Sequence, residues 1–124
     1  MIRISTLLRS DNKLQLNPNA LMVIDKQIHD NINEYVFGVT SESEKYKSYI
    51  VKVRIETPVS FKSQCEVGCN CLNFKYQHSI WLFRHRGLYD SINPFSNVLP
   101  KKFNKYKICK HVDLVLKLLL KHEY

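Results

Sequence analysis

The sequence predicts an α+β fold, a small antiparallel β-sheet with two or three helices packed on one side. Two features carry that expectation. Tyr35–Val39 and Tyr49–Ile55 are β-branched and aromatic runs with the polar stretch 41–47 between them, the pattern of an antiparallel hairpin. Near the end of the chain Val112, Val115, Leu116, Leu119 and Leu120 recur at helical spacing, and Lys121 sits where it suits the negative end of the helix dipole.

Along the chain, Ile4–Leu8 and Leu14–Leu16 read as short strands separated by the turn-like Ser10, Asp11 and Asn12, and Asn17–Pro18–Asn19 is a breaker. Leu21, Ile24, Ile28 and Ile32 then fall three and four apart, which predicts a helix from Ala20 to Ile32, although Met22 and Val23 leave a strand open. In the second β run Ile50, Lys52 and Arg54 alternate with Tyr49, Val51, Val53 and Ile55, as expected of a half-buried strand. Pro58 ends that strand, and Val59–Lys62 reads as a short resumption leading to the cysteines. After Cys71, Asn73 is placed to cap a helix running to Arg86, with Gly87 at the position that ends it. Its apolar face carries Phe74, His78, Trp81, Leu82 and His85. Residues 88–107, with Pro94 and Pro100, read as a long loop.

A chain of 124 residues suits one domain, here 1–124, with a helix-and-hairpin part over 1–62 and a cysteine-bearing part over 63–124. Lys and Arg number 19 against 11 Asp and Glu, a formal charge of +8. Such an excess favours nucleic acid, an acidic protein surface or an anionic membrane, or else is simply a solvated basic face. The basic residues gather late, and Lys101, Lys102, Lys105, Lys107 and Lys110 are the candidates for contact with such a partner. No apolar run approaches the roughly 20 residues that span a bilayer, and the start lacks a signal-peptide core, so a reducing compartment without membrane association is expected. In that setting four cysteines suggest a metal sooner than disulfides.

Cys69-Asn70-Cys71 is a C-x-C pair at the end of extended chain, where residues two apart point the same way. Cys109-Lys110-His111 is a C-x-H pair opening the last helix, whose dipole favours a thiolate. Three sulfurs and one imidazole make a set suited to a closed tetrahedral Zn²⁺ site. Three thiolates leave such a site at about −1, and Lys107 and Lys110 lie close enough in sequence to offset it. The ion would staple two segments separated by a long loop, with its binding energy spent largely on folding. The alternative is that the three cysteines are core thiols and His111 a capping or surface residue.

Cys65, four before Cys69, competes as a ligand in an all-cysteine arrangement with Cys69, Cys71 and Cys109, though a small core thiol is the favoured reading. His78 and His85 lie two helical turns apart, too far for one ion, and His29 and His122 have no partner in view. Phe74, Tyr76, Trp81 and Phe83 interleave with Lys75, Arg84 and Arg86, which either builds core or offers bases a stacking surface. No phosphate-binding loop, nucleophile elbow, H-E-x-x-H or dinucleotide fingerprint is present, so catalysis is not expected.

The order C-x-C, spacer, C-x-H resembles the SWIM zinc finger. Over about residues 65–120, with an aromatic helix after Cys71 and a basic stretch before Cys109, the chain is similar to small SWIM-like proteins of tailed phages and other large DNA viruses. That resemblance implies Zn²⁺ on Cys69, Cys71, Cys109 and His111. It also implies a non-enzymatic component of a virus particle, at capsid, neck or tail, found in the virion or host cytoplasm. Its partners would be other virion proteins and packaged DNA or another nucleic acid, with no small-molecule substrate. A free nucleic-acid-binding module is the alternative it allows.

Overall fold

The computed structural model describes residues 1–10, 18–40, 48–90, 92, 94 and 106–124. Among the described residues five antiparallel strands form a sheet in the order β1-β5-β4-β3-β2. They are β1 (Ile2–Arg3), β2 (Leu21–His29), β3 (Ile32–Thr40), β4 (Ser48–Glu56) and β5 (Gln64–Cys69). The described residues also form three α-helices, α1 (Ile4–Leu7), α2 (Ser79–Arg84) and α3 (Lys110–Lys121), in an α+β architecture, with a π-helical segment Phe74–His78 leading into α2.

The β3–β4 hairpin is the one the alternation predicts, with Phe37 opposite Val51 and Tyr35 opposite Val53. Its loop, 41–47, lies outside the described residues. One face of the sheet sends Tyr35, Phe37, Val39, Val51, Val53, Ile55, Cys65 and Val67 into a single core, where Val112, Val115, Leu116 and Leu119 of α3 meet them. On the other face Arg54 gathers three carboxylates: Glu34 at 2.5 Å, Glu66 at 2.9 Å and Asp90 at 3.0 Å. Period-two alternation thus separates an apolar side from a charged one.

Several local expectations are corrected. Leu21–His29 is a strand and not a helix, because its apolar residues are largely β-branched and Asp30-Asn31 turns the chain straight back into β3. Asp30 takes a positive φ of 52°, and a bulge between Val23 and Asp25 breaks the simple alternation that would have revealed the strand. Ile4–Leu7 is a helical turn, packed with Ile4 and Leu7 in the core, where a strand was expected. Leu14–Leu16 lies outside the described residues. Val59–Lys62 makes no strand; β5 begins at Gln64.

The helix after Cys71 ends close to where it was expected, by a different arrangement. Arg86, and not Gly87, takes the left-handed conformation (φ 60°), with Arg86 N–H donating to Phe83 O at 3.3 Å and Gly87 N–H to Leu82 O at 2.8 Å. Gly87 is required by crowding, since a Cβ there would lie 2.7 Å from Ile2 Cγ2. Gly87 to Tyr89 then runs beside β5, with Val67 N–H donating to Gly87 O at 2.8 Å and Tyr89 N–H to Val67 O at 2.9 Å.

Candidate metal centre

Cys69, Cys71, Cys109 and His111 converge, each with one ligand atom, all within 4.8 Å of one another. The three cysteines are buried and His111 is half-buried. Each residue arrives from a different local structure. Cys69 is the last residue of β5 and pairs with Val51 of β4. The expectation that both C-x-C sulfurs sit on extended chain is corrected at Cys71, because the chain bends there and Leu72 and Asn73 are already helical. Asn70 pins the chain before that bend to β4: its N–H donates to Ile50 O at 3.2 Å and its Oδ1 accepts Ile50 N–H at 2.9 Å.

Cys71 takes the capping role expected of Asn73. Its Sγ accepts Phe74 N–H at 3.3 Å, whereas Asn73 is itself helical and makes no side-chain cap. Cys109 is the N-cap of the 12-residue α3, in extended conformation, and its carbonyl accepts Asp113 N–H at 3.1 Å. Two of the three sulfurs therefore stand at helix starts, where exposed N–H groups favour a thiolate. His111, in the first turn of α3, stacks on Tyr49 of β4 with ring centroids 4.2 Å apart and presents Nδ1 to Cys69 Sγ at 3.9 Å.

The geometry fits a four-coordinate ion. Metal bonds of roughly 2.3 Å to sulfur and 2.0 Å to nitrogen put tetrahedral ligand atoms roughly 3.5–3.8 Å apart. The observed spread needs only a small contraction to reach that. The three sulfurs differ in their tendency to lose a proton. Hydrogen bonds from Cys109 and then Cys69 hold the Cys71 thiol far below its ordinary range, with burial opposing them. Cys69 is pushed up to about 12: a hydrogen bond with Cys109 pulls it down, but the hydrogen bond to Cys71 and burial outweigh that. Burial, reinforced by Cys69 and Cys71, drives Cys109 well above the thiol range. Without a cation the cluster thus favours a thiolate at Cys71, while a bound cation would take up all three sulfurs as thiolates and release the protons of Cys69 and Cys109.

No family model, curated protein or solved structure matches this chain. Its chemistry has to be read from its own atoms. Those atoms offer a possible metal site of three sulfurs and one nitrogen, with soft ligands suited to a thiophilic ion.

The remaining candidates fall elsewhere. Cys65 is buried in the core and lies outside the cluster, four strand residues or roughly 13 Å from Cys69. Burial pushes its thiol up to about 12. Lys107 is half-buried with Nζ 5.3 Å from the centre of the Trp81 ring, and Lys110 is exposed. Lys101, Lys102 and Lys105 lie outside the described residues. His78 is fully buried and His85 exposed, the latter stacked on Trp81 at 3.9 Å. Of the interleaved aromatics Phe74 is core, but Tyr76 and Phe83 are 46% and 55% exposed, so the helix is not purely a packing element.

Sequence reasoning missed Asn70, Tyr49, Arg9 and Asp113. Arg9 is 5% exposed and Asp113 not exposed at all, and they meet across 104 residues of sequence. No local pattern announces such a contact.

Proposed function

We propose that this chain is a non-enzymatic, zinc-stapled docking protein of the SWIM type, acting as a component of a phage or virus particle. The convergence of Cys69, Cys71, Cys109 and His111 carries the zinc reading. Four protein ligands fill a tetrahedral ion and leave no open position for a substrate or an activated water, which favours a structural ion over a catalytic one. The order C-x-C then C-x-H supports the family.

The docking part is supported by β2. It is one of the two edge strands of the sheet, nine residues long, and it exposes Met22 (66%), Ile24 (50%) and Ile28 (65%). Long apolar edge strands are unusual on proteins that work alone, because they invite pairing with a neighbour. In this reading the ion holds α3 and the Cys71 helix to the sheet, and β2 meets another subunit of the particle. Tagged chain expressed during infection should co-purify with particles, and Ile24→Lys with Ile28→Lys should abolish that while metal content stays intact. Wild-type chain absent from purified particles would sink the particle assignment.

A second reading has its own observation. Tyr76 and Phe83 are exposed beside Lys75, Arg84 and Arg86, which suits stacking on single-stranded nucleic acid. Binding would be steeply salt-dependent, because phosphate contacts release counterions. Fluorescence anisotropy with a labelled single strand at low and high salt separates the two readings, and no binding at low salt removes this one.

A further inference from the structure

We infer that Arg9 and Asp113 are positioning residues of the Cys109–His111 half of the metal centre, so that docking of residues 1–9 and retention of the ion are coupled. The inference rests on the metal reading above and adds to it a determinant of affinity outside the four ligands.

The two halves of the centre are far apart in sequence, and β5 carries only the first. What brings the second to it is a buried polar knot. The backbone N–H of Arg9 donates to Asp113 Oδ1 at 2.7 Å, Lys117 Nζ donates to the backbone carbonyl of Arg9 at 2.6 Å, and Lys117 Nζ pairs with Asp113 Oδ2 at 2.8 Å. The Arg9 guanidinium donates to Ile108 O at 3.1 Å and lies 4.4 Å from the centre of the Tyr106 ring. Ile108 immediately precedes ligand Cys109, and Asp113 N–H binds the Cys109 carbonyl at 3.1 Å. The Arg9 guanidinium thus holds the backbone just before Cys109, and the Asp113 side chain ties the first turn of α3 to the backbone of Arg9; the Asp113 N–H to Cys109 carbonyl bond is the ordinary first hydrogen bond of that helix.

The other end of this grip is fixed to β5. Ile2 pairs with Cys65 and Arg3 with Gln64, while Ile4 N–H donates to Ser63 O at 2.9 Å. A continuous path thus runs from the strand ending in Cys69, through residues 1–9, to the backbone beside Cys109. Asp113 is fully buried with both carboxylate oxygens engaged, so Asp113→Asn loosens the hold of Arg9 and Lys117 on α3, whereas Arg9→Ala keeps those bonds and removes the guanidinium from Ile108 O. Groups that orient metal ligands from outside the coordination sphere commonly change affinity 10- to 100-fold when removed. Linkage makes the effect reciprocal, so the ion should also protect residues 1–9 from opening.

The test titrates reduced full-length chain with Co²⁺, reads the d–d bands of tetrahedral thiolate coordination, and follows Zn²⁺ loss to a chelator. Arg9→Ala and Asp113→Asn should each lower affinity by about ten-fold or more with the tetrahedral spectrum retained. Arg9→Lys should recover part of the loss. Arg54→Ala serves as a control, since it damages the opposite face of the sheet and touches no ligand. Wild-type affinity in Arg9→Ala overturns the inference, as does an equal loss in Arg54→Ala, which would reduce the effect to general destabilisation. If Arg9→Ala does not fold, Arg9→Lys and Asp113→Asn decide by the same comparison. Failure of the wild type to take up Co²⁺ or Zn²⁺ would instead remove the metal reading itself.

Discussion

Cys71 Sγ accepts the backbone N–H of Phe74 at 3.3 Å, so one sulfur atom both caps a helix and faces Cys69, Cys109 and His111. Local chain geometry and the candidate metal site are therefore two consequences of the same residue. The two can be separated by substitution. Cys71→Ser keeps a capping oxygen but removes the thiolate, and Cys71→Ala removes both. In excess chelator Ser should be about 1 kcal/mol more stable than Ala, the worth of an N-cap. With metal present both variants should fail to bind it. Urea midpoints with and without chelator check both statements.

His78 should give the fold an acid-sensitive component. Burial, and next the Arg9 charge, push its imidazole down to about 4 from the ordinary 6.5. Between those values the unfolded chain binds a proton that the folded chain does not, so stability falls as pH drops through that window and levels off below it. The full shift corresponds to roughly 3 kcal/mol. His78→Leu should lack this slope; near neutrality it gives up the 3.4 Å contact of Nε2 with the Asn73 amide, while Nδ1 is a buried atom without a hydrogen-bond partner among the described residues. Comparing the loss of stability in wild type and variant between about pH 7 and pH 4.5 isolates the effect, because protonation of the thiolates is common to both. Parallel loss in the two proteins would assign the acid sensitivity elsewhere.

Arg54 should matter to stability and not to metal. It bridges Glu34, Glu66 and Asp90 on the face of the sheet opposite the core, and its removal leaves Glu34 and Glu66, each under 20% exposed, without their shared cation. Arg54→Ala is expected to cost about 2 kcal/mol. A shifted urea midpoint with unchanged metal stoichiometry is the expected pair of results.

The edge strand β2 offers a prediction with no stability component. Ile24 and Ile28 are half to two-thirds exposed, so Ile24→Lys and Ile28→Lys should move folding stability by no more than about 0.5 kcal/mol. The same changes should lower any association of the chain through β2, because charged side chains on an edge block strand pairing. Sedimentation velocity across a concentration series reads this directly, against unchanged thermal melts.

Where one physical signal dominated, sequence and structure agree. The alternation Val51, Val53, Ile55 against Lys52 and Arg54 has a single solution on a sheet, and the α3 stripe has a single solution on a helix. The convergence of Cys69, Cys71, Cys109 and His111 was legible because thiols and imidazole at short spacing have few other uses. β2 was misread because Leu21, Ile24, Ile28 and Ile32 fall at helical intervals by coincidence, while a bulge at Val23/Asp25 hides the strand period. The cap at Cys71 was given to Asn73 because side-chain preference points to Asn, whereas a buried sulfur had already taken the N–H. Arg9 and Asp113 left no trace, since a contact spanning 104 residues has no sequence period at all.

Metal stoichiometry measured by native mass spectrometry on the reduced chain addresses the centre most directly. One zinc ion per chain is expected, lost on Cys71→Ser and on His111→Ala. A bare chain after exposure to zinc, or an ion retained by both variants, would contradict the four-ligand assignment and with it the docking protein built around that staple.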